Sequence, residues 1–333
     1  MTGRRAVTLW ARAGTVLVTI VLVVIAQNVA LGIFFPDLKR LPSDFSPAYF
    51  ERDLGLAAAP PQTIFLGDSV LWGYRLRPDQ TAVALMLSDG CRCRNFALKG
   101  GSPPNFYVIA RLLERSHVRP LRVVIEINQK ALNKLDPSYK TLHPSLAALA
   151  APWLAKNDRD RFSIAASSSG PAAWFDRTFA SVSSLYAMRA DLRAVFFGDD
   201  DGSTAPPPST SVDDYFGMYD MRPLGDGNTG IAYLRKTLDT FRADGIPVTA
   251  FLTPTNHMLL HEFVDRPDYV ANTAYLQKVL EAGGATVLNL DASFPRDEFF
   301  DNAHLRISGQ HRLAGILEKA LGEPTPGSAR TRS

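Results

Sequence analysis

Five short apolar or β-branched runs, interleaved with longer segments of helical spacing, constrain the fold of this chain more than anything else in it. The runs occupy 63–66, 95–98, 121–127, 248–252 and 286–290. Continuous apolar runs bounded by glycine, proline or polar residues suit strands buried on both faces. The segments 105–117, 228–244, 268–283 and 308–321 carry apolar residues at helical spacing, as Leu313, Ile316, Leu317 and Leu321 do. Such alternation predicts an α/β fold, a parallel sheet with helices on both sides. The stretch 131–228 is too long for a plain crossover and reads as an insertion covering one edge of the sheet. Within it, 172–195 is helix-like, and the Asp- and Pro-rich run 199–208 reads as a mobile loop. The aromatic residues around 173–187 suit either the core of that insertion or a surface toward a membrane or partner. An extended linker over 37–61 precedes the domain at 62–322, and 323–333 reads as a disordered tail.

The amino terminus has a different character. Between Arg12 and Asp37 lie 24 residues without a charge, whose carboxyl half is weakened by Gln27 and Asn28. About 20 apolar residues span a hydrocarbon core, so 1–36 predicts a single-pass transmembrane anchor. Arg4, Arg5 and Arg12 all lie on its amino side, which places that end in the cytoplasm. The remainder is then expected outside the inner (cytoplasmic) membrane, in the periplasm or its equivalent. A cleaved signal peptide is the competing reading, but Asn28 spoils the small-x-small pattern near Ala26 to Ala30. A buried core helix is a third.

Those three arginines also account for the whole formal charge of +3, so the rest of the chain is neutral. A phosphate-tracking surface needs an excess of Lys and Arg on the folded part, and this excludes a nucleic-acid binder. The two cysteines, Cys91 and Cys93, provide neither a disulfide framework nor a four-ligand zinc site. Their spacing is tight for a disulfide, and an inert or structural role is expected over strained pairing or pairing with an outside thiol. His257 and His261 are four apart but lack the glutamate of H-E-x-x-H and a third ligand, so packing or surface roles are expected. His311 is expected to face solvent.

Four polar features follow predicted strands. The first strand runs into Gly67-Asp68-Ser69, which places a serine at the carboxyl edge of the sheet and the start of a helix. That edge is where open α/β sheets bind ligands. A helix amino terminus also offers N–H groups to a developing oxyanion. The bland alternative is a helix cap. After the last strand comes Asp301-Asn302-Ala303-His304. A histidine there can take a serine proton, and an aspartate three residues earlier can orient the same imidazole. Gly100, in Lys99-Gly100-Gly101, lets a backbone N–H approach a substrate, and Asn128 after the third strand offers an amide donor. An ordinary turn and a capping asparagine are the bland readings of those two.

Taken together, Gly67-Asp68-Ser69, Gly100, Asn128 and Asp301 with His304 resemble the blocks of the SGNH (GDSL-type) hydrolase superfamily, over roughly 62–320. The resemblance implies a flavodoxin-like three-layer α/β/α fold with about five parallel strands. Ser69 would be the nucleophile, His304 the base and Asp301 its partner. The N–H groups of Ser69 and Gly100 and the Asn128 amide would form the oxyanion hole, with no metal or organic cofactor. The third block departs from the family's Gly-x-Asn-Asp, reading Glu126-Ile127-Asn128-Gln129. The anchor, Gly-Asp-Ser-Val and Asp-x-x-His-Leu also resemble, more loosely, envelope O-acylation lineages such as the D-alanine transfer protein of teichoic-acid loading. These features predict an esterase or O-acyltransferase acting on ester groups, chiefly O-acetyl, of an envelope glycan or glycolipid. An integral-membrane acyltransferase is the expected partner. The contrasting expectation is a non-catalytic glycan-binding or accessory subunit with a decayed site.

Overall fold

The structure, a computed structural model, describes residues 14–16, 18–27, 29–30, 62–132, 142, 146–147, 150, 154, 215–219 and 223–322. Five strands, β1 (Thr63–Leu66), β2 (Cys93–Asn95), β3 (Arg122–Ile127), β4 (Val248–Leu252) and β5 (Thr286–Asn289), form one parallel sheet in the order β2-β1-β3-β4-β5. Side chains alternate across it. Ile64, Leu66, Val123, Ile125, Val248 and Ala250 face one core, against the helices Pro103–Arg115, Thr229–Ala243 and Pro267–Ala282. Phe65, Val124 and Phe251 face the other, against Ala82–Ser88 and Ile307–Leu321. Helices on both faces make three layers, and they account for the uninterrupted apolar character of the strands.

The expected run 95–98 is displaced. Strand β2 ends at Asn95, whose side-chain Oδ1 accepts from Ala97 N at 3.0 Å and bends the chain. Phe96 N and Leu98 N still donate to Phe65 O and Gly67 O, at 2.8 and 3.1 Å, so the bent segment keeps following β1. A second correction concerns the cysteines. Cys91 and Cys93 form a disulfide, because the chain bows at Arg92 and leaves their Cα atoms 5.3 Å apart, within the ordinary range for a bridge.

At the start of the expected insertion, Leu142, Leu146, Ala150 and Leu154 are buried in the first core. The region 172–195, the run 199–208, the linker 37–61 and the tail 323–333 lie outside the described residues. Residues 14–16, 18–27 and 29–30 are helical, and Val16, Ile20, Leu22 and Ile25 are exposed. Among the described residues no helix is long and apolar enough to cross a membrane.

Candidate active site

The nucleophile candidate owes its position to the end of β1. Asp68 caps the short helix Ser69–Trp72, its Oδ1 accepting from Val70 N at 2.9 Å, and Ser69 becomes the first helical residue. The glycine turn at 100–101 packs against this corner. Gly100 has φ +72°, and a Cβ on Gly101 would collide with the Gly67 carbonyl oxygen, so only glycine permits the contact. The sequence pattern marked the Gly100-Gly101 turn but gave a role to Gly100 alone.

From the far end of the chain, the loop after β5 brings His304 back to Ser69. Ser69 Oγ and His304 Nε2 are 2.8 Å apart, and His304 Nδ1 is 2.7 Å from Asp301 Oδ2. The other oxygen of Asp301 accepts from the N–H groups of Ala303 and His304, at 3.1 and 2.9 Å. Burial alone pushes the Asp301 carboxyl up. The hydrogen bond and charge of His304 and the two N–H groups outweigh that and hold it at about 2. Asp301 is therefore a carboxylate at neutral pH, suited to accept from Nδ1–H and leave Nε2 free to accept from a hydroxyl. Ser69, Asp301 and His304 are all largely buried, so their interaction is weakly screened.

Residues to which the sequence pattern gave no role hold this arrangement. Phe300 N donates to His304 O at 2.8 Å, closing the loop. Asn256 Nδ2 donates to Asp301 O, and Asn302 Nδ2 to the Tyr219 hydroxyl, at 3.0 and 2.8 Å. Gln310, buried in the last helix, spans the join between the chain's two ends. Its Nε2 donates to Val70 O at 3.0 Å and its Oε1 accepts from Ala82 N at 2.8 Å. Tyr74 lies over the imidazole with ring centroids 4.4 Å apart, and Lys99 and Arg75 sit over the Tyr74 ring. A cleft of about 510 Å³ opens beside Asp301, lined by Met258, Phe299, Phe300 and Arg306 among others.

Asn128 is buried just past β3. Its Oδ1 accepts from Lys130 N at 3.0 Å, whereas its Nδ2 is buried and, among the described residues, has no hydrogen-bond partner. A buried donor left unsatisfied costs stability, and its usual justification is a ligand or water. His257 and His261 share no site: His257 Nε2 lies 2.9 Å from Asp291 Oδ2, while His261 opens the next short helix. Among the described residues no three His, Cys, Asp or Glu side chains are grouped to hold a metal ion.

No family model matches the sequence, and no curated protein does. Among solved structures the chain is similar to a psychrotrophic esterase from Pseudoalteromonas sp. and to a GDSL-like lipase from Bacteroides thetaiotaomicron. The first is 14% identical with a TM-score of 0.39, covering 79% of this chain and 97% of that one. The second is 12% identical with a TM-score of 0.41, covering 84% and 99%. In its site residues, the chain resembles the GDSL-type acyl hydrolases. At such low identity and overlap the superpositions carry no chemistry, and the functional reading rests on the side chains described above.

Proposed function

We propose that this chain is a serine esterase or O-acyltransferase, anchored in the inner membrane with its site outside. Its proposed substrates are ester groups, acetyl foremost, on a cell-envelope glycan or glycolipid. The hydrogen-bonded series Ser69–His304–Asp301, at 2.8 and 2.7 Å, carries this reading. Ser69 Oγ attacks the ester carbonyl carbon while His304 Nε2 takes its proton, and Asp301 stabilises the resulting imidazolium. The carbonyl oxygen becomes an oxyanion, for which the unpartnered Asn128 Nδ2 is a donor, together with the N–H groups of Ser69 and Gly100. Collapse expels the alcohol, which takes the proton from His304, and leaves an acyl-enzyme. Water or a sugar hydroxyl then attacks that ester and delivers its proton to His304, and collapse of this second intermediate breaks the bond to Ser69 Oγ, which takes the proton back from His304. Water gives hydrolysis and a sugar hydroxyl gives transfer.

The anchor and outward topology rest on the uncharged 24-residue stretch and the arginines that precede it. An envelope substrate follows from that location. An integral-membrane acyltransferase is the proposed partner, as the supplier of acyl groups to an outward-facing site. A fluorophosphonate probe should label the wild-type chain and leave Ser69→Ala unlabelled, with parallel loss of acetate release from an activated acetyl ester. Equal labelling of both removes Ser69 from its role.

A further inference from the structure

The loop that carries the base also carries an arginine that the mechanism leaves unused. Leu305 pairs with Phe299 in an antiparallel bridge, and Phe300 N and Arg306 N donate to His304 O and Glu298 O at 2.8 and 2.7 Å. Leu305 is buried in the core and Arg306 has extended backbone, so His304 and Arg306 share the face opposite Leu305. Arg306 is exposed, yet its guanidinium is held at two points. Nε donates to Phe299 O at 2.8 Å, and Cζ lies over the Phe300 ring, 5.1 Å from its centroid. Stacking and one backbone bond fix the plane of the group. Its two Nη groups make no hydrogen bond or ion pair among the described residues.

Arg306 lines the cleft of about 510 Å³ beside Asp301, whose wall includes the apolar Met258, Leu259, Pro295 and Phe299. Arg296 lines it too, exposed and likewise without an ion pair among the described residues. Two carboxylates oppose these cations. Asp301 is committed to His304, and Asp297 lies in the field of Arg312. The balance of unspent charge therefore favours an anionic guest. A guanidinium fixed by stacking matches a carboxylate or a phosphate, because two of its N–H groups reach two oxygens of the guest together. The apolar wall strengthens such a bond by lowering the local dielectric.

We propose that Arg306, assisted by Arg296, is an anion subsite that selects esters borne by acidic envelope glycans or glycolipids. The chemistry it recognises is a pair of anionic oxygens, on a sugar carboxylate or on a phosphate. Because Arg306 follows His304 by two residues on a closed loop, the guest's charge is registered against the reacting ester. The assignment of this guest as substrate rests on the acyl-transfer reading of Ser69, whereas the anion site itself does not.

The test uses three O-acetylated oligosaccharides of equal length and acetyl content: one bearing carboxylates, one bearing phosphates and one neutral. Acetate release by the full chain is measured at one ionic strength, with Ser69→Ala as the blank. The wild type should prefer one charged substrate over the neutral one by at least about tenfold in kcat/KM, chiefly through KM, and which one it prefers identifies the guest. Arg306→Gln should lose that preference, read as a ratio within the variant. Arg306→Lys should retain only part of it, having a charge without the fork. Arg296→Gln, which breaks no bond of the loop, should reduce it about threefold. A wild type that prefers neither charged substrate overturns the proposal. So does a wild-type ratio in Arg306→Gln or, should that variant fail to fold, in Arg296→Gln. Acetate release by the blank equal to wild type instead defeats the acyl-transfer reading, and calorimetric binding of the same oligosaccharides without acetyl groups then decides. The preferred charged one should bind Arg306→Gln at least about tenfold more weakly than wild type, and equal affinity overturns the anion site.

Discussion

Among the described residues are two histidine–aspartate pairs of nearly equal separation. His304 Nδ1 lies 2.7 Å from Asp301, and His257 Nε2 lies 2.9 Å from Asp291. Their surroundings differ. The His304 and Asp301 side chains are 13% and 9% exposed, against 34% and 13% for His257 and Asp291. The second nitrogen of His304 faces the Ser69 hydroxyl, which sits at a helix amino terminus beside a glycine turn. The second oxygen of Asp291 is instead occupied by the Tyr269 hydroxyl at 2.6 Å. Burial, then the charges of Asp291 and Tyr219, push that phenol up, so it remains a neutral donor. A histidine–aspartate pair is therefore common structural material. It can serve as a base toward a nucleophile only where its outer nitrogen meets a hydroxyl, as His304 Nε2 meets Ser69 Oγ.

Substitutions in the two pairs should separate them by orders of magnitude. Ser69→Ala or His304→Ala should lower kcat for an activated acetyl ester by on the order of 10⁶-fold, whereas His257→Ala should leave it within about threefold. Stopped-flow or steady-state assays of the three variants check this, and a large loss in His257→Ala would erase the contrast. Next in size, Asp301→Asn should cost about 10⁴-fold in kcat, because an amide no longer selects the tautomer that accepts at Nε2. On the proposed role of its Nδ2 as a donor to the developing oxyanion, Asn128→Ala should cost about 10²–10³-fold in kcat with little change in KM. A change confined to KM would assign Asn128 to substrate binding.

Asp301 also couples stability to acid. The Asp301 pKa is depressed from 3.8 to about 2, so its stabilisation is present above the unfolded value and is lost as pH falls toward 2. Denaturant unfolding between pH 5 and 2 should show a loss of about 2 kcal/mol in the wild type that Asp301→Asn lacks. The smallest effect belongs to Asp291→Asn. It weakens the bonds to His257 and Tyr269 and should reduce stability at neutral pH by about 1–2 kcal/mol without altering the ester pH profile.

Much of this architecture was legible because it follows from local patterns. Apolar runs that end in glycine or a polar residue marked β1, β3, β4 and β5 to within a residue or two. The second strand was misplaced because Cys93 and Arg94 carry little strand signal, while the apolar Phe96 and Leu98 belong to a bend created by the Asn95 side chain. Glu126 did announce itself, as a charge in a buried strand and as a departure from the resembling block. Its partners Asp68, Leu71 and Thr253 could not be read, since they come from two other strand ends. Gln310 gave no signal. A glutamine on a helix is unremarkable until the fold sets it against Val70 and Ala82.

From the sequence alone came the inventory and its short-range order: a serine just past a strand, and an aspartate and a histidine in one short loop. Residues three apart meet at little entropic cost, so their contact is nearly a local property. Only the tertiary structure decided that Ser69 and His304, 235 residues apart, share a hydrogen bond. Contacts of that span depend on strand order and on the packing of Ile307–Leu321 against Ala82–Ser88, which are set by burial of the whole core rather than by any one segment.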